Sequence, residues 1–518
     1  MEGKIVSFKN WLKKAGLSEK KHQISGLKFC LERECGDKLL HGVRGGIVAD
    51  EMGLGKTILM LGCIVSNFKG VGGKTNTLIV LPLALLEQWR DIFERFLGHT
   101  PLVYHGTNVK KVTYEELKTA PVVLTTYGMI SDRSPKEITG ARKPNTGASP
   151  LWSVQWNRII MDEAHHIRNM NTGAFKGARM LQANIRWLVT GTPIQNKASD
   201  FYALCKVLGF NAGTYTNISE LRQIIRVYLL RRTKKLVGIK LPPIQAEQIT
   251  VPWGSDSEKN IAAQIHSQTH FSNVSVDNVD EAIGVLTRGM PMLIRARQVC
   301  VFPHLLNRAV KRLQERGDLS WDIEMADIKT CSKMTAITKH ILNGFKQRDG
   351  RRKIVFCHYR GEIDLLEALL TKGGIACTSV DGRTTKKQRE NALNYAVSSG
   401  GFSQVCRAWR DSEEWMFPII DQFIAPQVLI VQIQTANEGL NLQHFQDIYF
   451  TSPHWNPAVE EQAIARAHRI GQCSNVKVYR FIMENFDAEY EGQERPITID
   501  RYCQLVQDSK RELIKMLE

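Results

Sequence analysis

A lysine and a threonine stand directly behind two glycines in Asp50-Glu51-Met52-Gly53-Leu54-Gly55-Lys56-Thr57. Glycines let a backbone curl so that its N–H groups face an anion. The helix that follows adds positive potential at the same point. Lys56 is then placed to reach the β- and γ-phosphates of a nucleotide, and the Thr57 hydroxyl to ligate Mg²⁺. The general phosphate loop carries a glycine five residues before Gly55; this chain has Asp50 there. A second reactive pair, Asp162 and Glu163, follows the apolar run Ile159-Ile160-Met161. Adjacent carboxylates at a strand end suit a nucleotide hydrolase. Asp162 would hold the metal through water, and Glu163 would orient and deprotonate the attacking water. Further on, Thr190 and Thr192 flank Gly191 in a hydroxyl-bearing turn, placed to bond the carboxylates and sense the γ-phosphate. Near the end, Arg466 and Arg469 are three apart, which on a helix is one face. Two guanidiniums there would stabilise charge developing on a γ-phosphate.

These residues need strands that end where they begin. Gly46-Ile47-Val48-Ala49, Thr77 to Leu81 and Val122 to Thr126 are short apolar runs, as are Ile159 to Met161 and Trp187 to Val189. Helical patterns such as Ile58 to Val65 and Leu83 to Phe96 alternate with them. Such alternation predicts a parallel α/β sheet with its ligands at the carboxyl ends of the strands. Trp89, Phe93 and Phe96 read as core residues. In the helical stretch around Ile24, Leu27 and Leu31, Gln23 is placed to read an adenine edge, although taken alone it reads as solvent-facing.

The chain has 518 residues, enough for two or three domains. Its 69 Lys+Arg against 52 Asp+Glu leave a formal charge of +17, which favours a polyanionic partner. No apolar run approaches the ~18 residues of a membrane span, and Met1 to Lys21 lacks a signal-peptide core. The 11 cysteines include no C-x-x-C, so neither a zinc module nor a redox motif is expected. His165 and His166 have no metal-ligand partner at helical spacing. A reducing, intracellular setting is the expectation: a nucleus if the source is eukaryotic, or a replication or transcription site if it is viral.

Asp50 to Thr57, Asp162-Glu163-Ala164-His165-His166 and Thr190-Gly191-Thr192-Pro193-Ile194-Gln195-Asn196, in this order, resemble the Swi/Snf-type DNA-dependent ATPases of helicase superfamily 2. An aspartate at position 50 is that group's usual variant. The match continues through Leu230-Arg231-Arg232-Thr233-Lys234, Arg297-Gln298-Val299-Cys300, Gly439-Leu440-Asn441-Leu442, Trp455-Asn456-Pro457 and Glu461 to Gln472. It spans about residues 22–482. Ala436, Asn437 and Glu438 depart from the group's glycine-rich turn before Gly439.

The resemblance implies two tandem RecA-like parallel-sheet α/β domains with a helical linker and protrusions between them. The expected division is a basic, peripheral segment 1–21, a first motor domain 22–250, the linker 251–330, a second motor domain 331–490 and a charged tail 491–518. ATP and Mg²⁺ are the implied cofactors. Gln23, Asp50, Gly53, Gly55, Lys56, Thr57 and Gly439 bind nucleotide, and Thr57 and Asp162 hold the metal. Lys56, Glu163, Arg466 and Arg469 are catalytic, while Thr190 and Thr192 couple. Double-stranded DNA is the implied track, with Thr125, Thr126 and Trp455 as backbone contacts; DNA-bound proteins are a second partner class. A strand-separating helicase on DNA or RNA is the alternative, and a motor retained as a scaffold is disfavoured by the intact catalytic set. Residues 400–427, with Trp409, Trp415 and Phe417, read as a small packed insert.

Overall fold

The computed structural model describes residues 1–516, apart from 38, 70–72, 74, 133–148, 195–197, 268–289, 318, 321–324, 326–327, 329–330, 348, 398–427, 438–441 and 487–496. Gly439 and the aromatic insert therefore lie outside the described residues. Two compact units divide the chain, Met1–Lys240 and Leu241–Glu518.

The first unit is built on seven strands. In chain order they are β1 (Gly45–Val48), β2 (Thr77–Leu81), β3 (Leu102–Tyr104), β4 (Val122–Thr126), β5 (Gln155–Asp162), β6 (Gln182–Val189) and β7 (Leu229–Leu230). They lie in the order β3-β4-β2-β5-β6-β1-β7, every pair parallel. β1, β2 and β4 are buried along their whole length, which explains why they read as unbroken apolar runs. Helices α1 (Glu2–Lys14), α2 (Lys21–Cys35), α3 (Lys56–Ser66) and α4 (Leu86–Leu97) precede or follow these strands.

α1 corrects the expectation of a peripheral N-terminus. Phe8, Trp11 and Leu12 recur at helical spacing and are buried in the core with Met60, Leu61 and Ile64 of α3. Gly62 leaves the room: a Cβ there would stand 2.5 Å from the Phe8 ring. The lysines around this stripe hid it in composition. Beneath α2, Glu34 forms a fully buried ion pair with Arg158 of β5 at 2.6 Å. Glu34 also accepts hydrogen bonds from Trp187 at 2.8 Å and Asn67 at 2.7 Å. No lone pair is stranded, so the buried charge is tolerated.

The second unit holds six parallel strands: β8 (Ile244–Val251), β9 (Lys353–Cys357), β10 (Cys377–Val380), β11 (Val428–Gln432), β12 (Asp447–Phe450) and β13 (Val476–Met483). Their order is β10-β11-β9-β12-β13-β8. β8 lies inside the stretch expected to close the first domain. Instead it pairs with β13 from Ile244↔Val476 to Val251↔Met483, so the unit boundary falls before it. The expected linker also belongs here: Ile261, Ile265, Leu293, Val299, Leu306 and Leu313 share one core with β9, β11 and β13. The C-terminal helix Ile499–Met516 is docked, not free. Ile499, Tyr502 and Val506 enter that core, and Asp500 pairs with buried Lys333. Both units are thus RecA-like α/β sheets. Among the described residues no helix is long and apolar enough to cross a membrane.

Candidate active site

Four neighbouring strands of the first unit, β5-β6-β1-β7, deliver the candidate residues at their carboxyl ends. β1 runs into the glycine loop. Gly53 and Gly55 take φ of 87° and 81°, the left-handed region that a side chain resists. Gly55 caps α3, so Lys56 opens the helix and its first-turn N–H groups face the loop. The Lys56 ammonium donates to the Asp50 carbonyl at 2.8 Å, inside the curl where a phosphate oxygen would compete for it. Thr57 follows on the same first turn.

Gln23 is not solvent-facing. It is 6% exposed, and its amide nitrogen lies 2.6 Å from where a Cβ on Gly55 would stand. The adjacent His22 ring nitrogen meets the Leu54 carbonyl at 3.1 Å. The start of α2 is therefore packed onto the glycine loop.

Asp50, expected to bind nucleotide, is itself held by an arginine. Arg232 forks onto both its oxygens, at 3.0 and 2.5 Å. A bare carboxylate beside phosphates would repel them; here the guanidinium neutralises it. The neighbouring Glu51 accepts the Lys234 backbone N–H at 2.7 Å and pairs with its ammonium at 3.0 Å.

At the end of β5, Asp162 is buried. One oxygen accepts from the Trp89 indole at 2.8 Å and the other from the Glu163 N–H at 3.0 Å. Burial and then the Glu163 charge push its pKa up to about 6, against the opposing pull of Trp89 and Lys56. A cation would offset both the burial of this carboxylate and the charge of its neighbour. Asp162 and the Thr57 hydroxyl would offer oxygen donors of the hard kind that Mg²⁺ prefers. Glu163 takes φ 49° and ψ 50°, a left-handed conformation that costs a non-glycine residue roughly 1 kcal/mol or more. Such strain clusters at functional positions. The side chain lies 3.3 Å from His165, which stacks on His166. His166 in turn stacks on Tyr127, and burial lowers its pKa to about 4, so that ring is neutral at physiological pH.

The turn after β6 meets the loop through its glycine. A Cβ on Gly191 would stand 3.0 Å from Met52 and 3.8 Å from the Lys56 ammonium. The Thr190 hydroxyl closes the turn on itself, accepting from Thr192 N–H at 3.2 Å.

Thr125 and Thr126, expected as DNA-backbone contacts, are buried. Thr125 is fully buried and donates to the Tyr104 carbonyl at 2.9 Å; Thr126 is 4% exposed and lies against His105. Their strand is covered on both faces, so the hydroxyls serve the sheet. Trp455, in the second unit, is half-buried with the Arg297 guanidinium 4.3 Å over its ring.

In the second unit, the helix Pro457–Ala467 carries Arg466 in its last turn and ends one residue later. Arg469 lies beyond it, which corrects the expectation that both arginines share a helical face. The helix is fixed by buried Glu460, which pairs with Arg480 at 2.8 Å and accepts from Gln507 at 2.7 Å. The stretch bearing Arg469 is fixed by Gln472, whose amide donates to the carbonyls of Gln443, Phe445 and Ala467 at 2.9, 3.1 and 3.3 Å.

Sequence reading missed Arg232 as the partner of Asp50 and treated Trp89 as packing alone. Charge opposite a glycine loop and an indole N–H needing an acceptor were the available signals.

The family profile described as SNF2-related domain matches residues 22–305, more than half of the chain. The chain belongs to the SNF2-related family. A helicase conserved C-terminal domain matches residues 332–403 and 418–471 behind it. The pair makes the chain an ATP-hydrolysing enzyme of the superfamily 2, Snf2 type. An uncharacterized ATP-dependent helicase of Schizosaccharomyces pombe is 26% identical, across 95% of this chain and 60% of its own length. The probable global transactivator of Orgyia pseudotsugata multicapsid polyhedrosis virus is 26% identical, across 94% of this chain and 89% of its own. Thus the chain spans under two-thirds of the yeast relative and most of the viral one. A solved Sulfolobus solfataricus SWI2/SNF2 ATPase core in complex with double-stranded DNA covers 90% of this chain and 88% of its own, at 20% identity and a TM-score of 0.38.

Proposed function

We propose that this SNF2-related enzyme is a translocase that spends ATP to move on double-stranded DNA and thereby displaces or remodels what is bound there. The observation that carries the reading is the convergence of the glycine loop, Lys56, Asp162, strained Glu163 and the Gly191 turn on one sheet end. Gly53, Gly55 and Lys56 hold the phosphates, and Gln23 meets the base. Thr57 and Asp162 hold Mg²⁺, which when bound supplies neutralisation of phosphate charge. Glu163 accepts the proton of the attacking water. Arg466 and Arg469 of the second unit are the arginines that meet charge on the γ-phosphate, and Gly439 is a nucleotide-binding residue. Closure between the units is then the mechanical step.

Duplex DNA as the track rests on the formal charge of +17 and the family. Separating strands would need a wedge between bases. A triplex-displacement assay tests the reading: ATP-dependent release of the third strand is expected, with no release of a strand from a forked duplex. Fork unwinding would instead establish the strand-separating helicase.

A further inference from the structure

The guanidinium of Arg232 joins two parts of the candidate nucleotide site that are far apart in sequence. On one side it forks onto Asp50, the residue that stands where the general loop has glycine. On the other, its Nη1 donates to the His22 carbonyl and, at 3.0 Å, to the Ser25 hydroxyl, both in the first turns of α2. Between those two residues sits Gln23, packed on Gly55. Gly26 makes the approach possible, since a Cβ there would stand 2.8 Å from Arg232 Nη2. Arg232 itself is placed by the ladder that continues β1 and β7: Ala49 N–H donates to the Leu230 carbonyl at 2.7 Å, and Glu51 N–H to the Arg232 carbonyl at 2.9 Å.

We infer that Arg232 is a positioning residue for nucleotide recognition: it locks the base-reading start of α2 to the phosphate loop through one side chain. Asp50 supplies the charge that holds the guanidinium in place, which gives the aspartate at that position a purpose. Arg232 touches no phosphate in this role; it fixes the spacing between Gln23 and Lys56. A lysine has no fork and cannot hold both sides at once. The inference rests on the nucleotide reading above, with Gln23 facing the base.

The test is steady-state hydrolysis of ATP and of GTP by the full chain, with duplex DNA at one fixed salt. Wild type should prefer ATP. Arg232→Gln should raise the KM for ATP on the order of 10- to 100-fold with a much smaller change in kcat, and bring the ATP-to-GTP ratio of kcat/KM towards one. Gly26→Ala should reproduce that loss of preference with every charge in place, and alanine favours the helix. The double variant Asp50→Gly/Arg232→Gln leaves no stranded carboxylate; it should regain thermal stability but not the ATP preference. Retained preference in Gly26→Ala and Arg232→Gln would overturn the inference. So would full recovery of preference in the double variant, which would reduce Arg232 to neutralising Asp50. A wild type that hydrolyses ATP and GTP equally would overturn the reading of Gln23, and this inference with it.

Discussion

The two units solve the same problem of holding charged side chains in different ways. In the first, each candidate is fixed by a partner distant in sequence: Asp50 by Arg232, Asp162 by Trp89, and the Gly55 loop by Gln23. In the second, Arg466 and Arg469 ride on the end of a helix and the turn beyond it. Their supports stand in the same stretch: Glu460, held by the Arg480 and Gln507 side chains, and Gln472, which donates to the Gln443, Phe445 and Ala467 carbonyls. The first arrangement pre-forms a binding site at the cost of burying charge. The second holds two half-buried arginines at a helix end and in the turn behind it. The proposed function gives the two units different tasks, nucleotide binding to the first and completion of turnover to the second.

The largest expected effect is on chemistry in the first unit. Glu163→Gln keeps the shape and removes the base, so kcat should fall about 10²- to 10⁴-fold while ATP affinity stays. Steady-state hydrolysis beside a nucleotide titration checks this, and near-normal turnover would remove Glu163 from the catalytic role.

Next comes the packing that supports that site. Phe8 is fully buried against α3, whose start bears Lys56 and Thr57. Phe8→Ala should cost about 3–5 kcal/mol of first-unit stability. Denaturant unfolding followed by hydrogen exchange should locate the loss in the first unit. A loss under 1 kcal/mol would restore α1 to a peripheral status.

Acid should separate the units further. In the second unit, burial lowers the pKa of His266 and His454 to about 4, and that of His358 well below its usual value. A histidine with a lowered folded-state pKa binds its proton more readily when unfolded. Its stabilisation is therefore present above pH 6.5 and lost as pH falls towards 4, about 3 kcal/mol for each of His266 and His454. Glu362 and Glu461, raised by burial, oppose part of this. In the first unit, Asp162 shifts up to about 6, opposite in sign to His166. Between pH 7 and 5, hydrogen-exchange protection should fall first in the second unit; earlier loss in the first would contradict the comparison.

How much was legible follows from which forces are local. The glycine loop, the strand-borne carboxylates and the alternation of elements are short-range patterns, and they placed the catalytic end of the first sheet. Pairings across the chain leave no periodic trace. Arg232 and Asp50 are 182 positions apart, and Trp89 and Asp162 are 73 apart. Each reads as an ordinary charge or core aromatic until the fold joins them. Gln23 looked exposed because polarity was read without its neighbour Gly55. Thr125 looked available because a hydroxyl at a strand end was read without the strand beside it. The boundary near β8 was misplaced because strand pairing, not composition, assigns an edge strand to a sheet.

The proposed function requires the first unit to bind nucleotide and the second to complete its hydrolysis. The direct test is Arg466→Ala in the full chain, with ATP affinity and duplex-stimulated kcat measured side by side at one salt. Unchanged affinity is expected, with a fall in kcat of about 10³-fold or more, the scale of an arginine acting on a γ-phosphate. Wild-type turnover, or a loss of affinity that matches the loss of kcat, would contradict it.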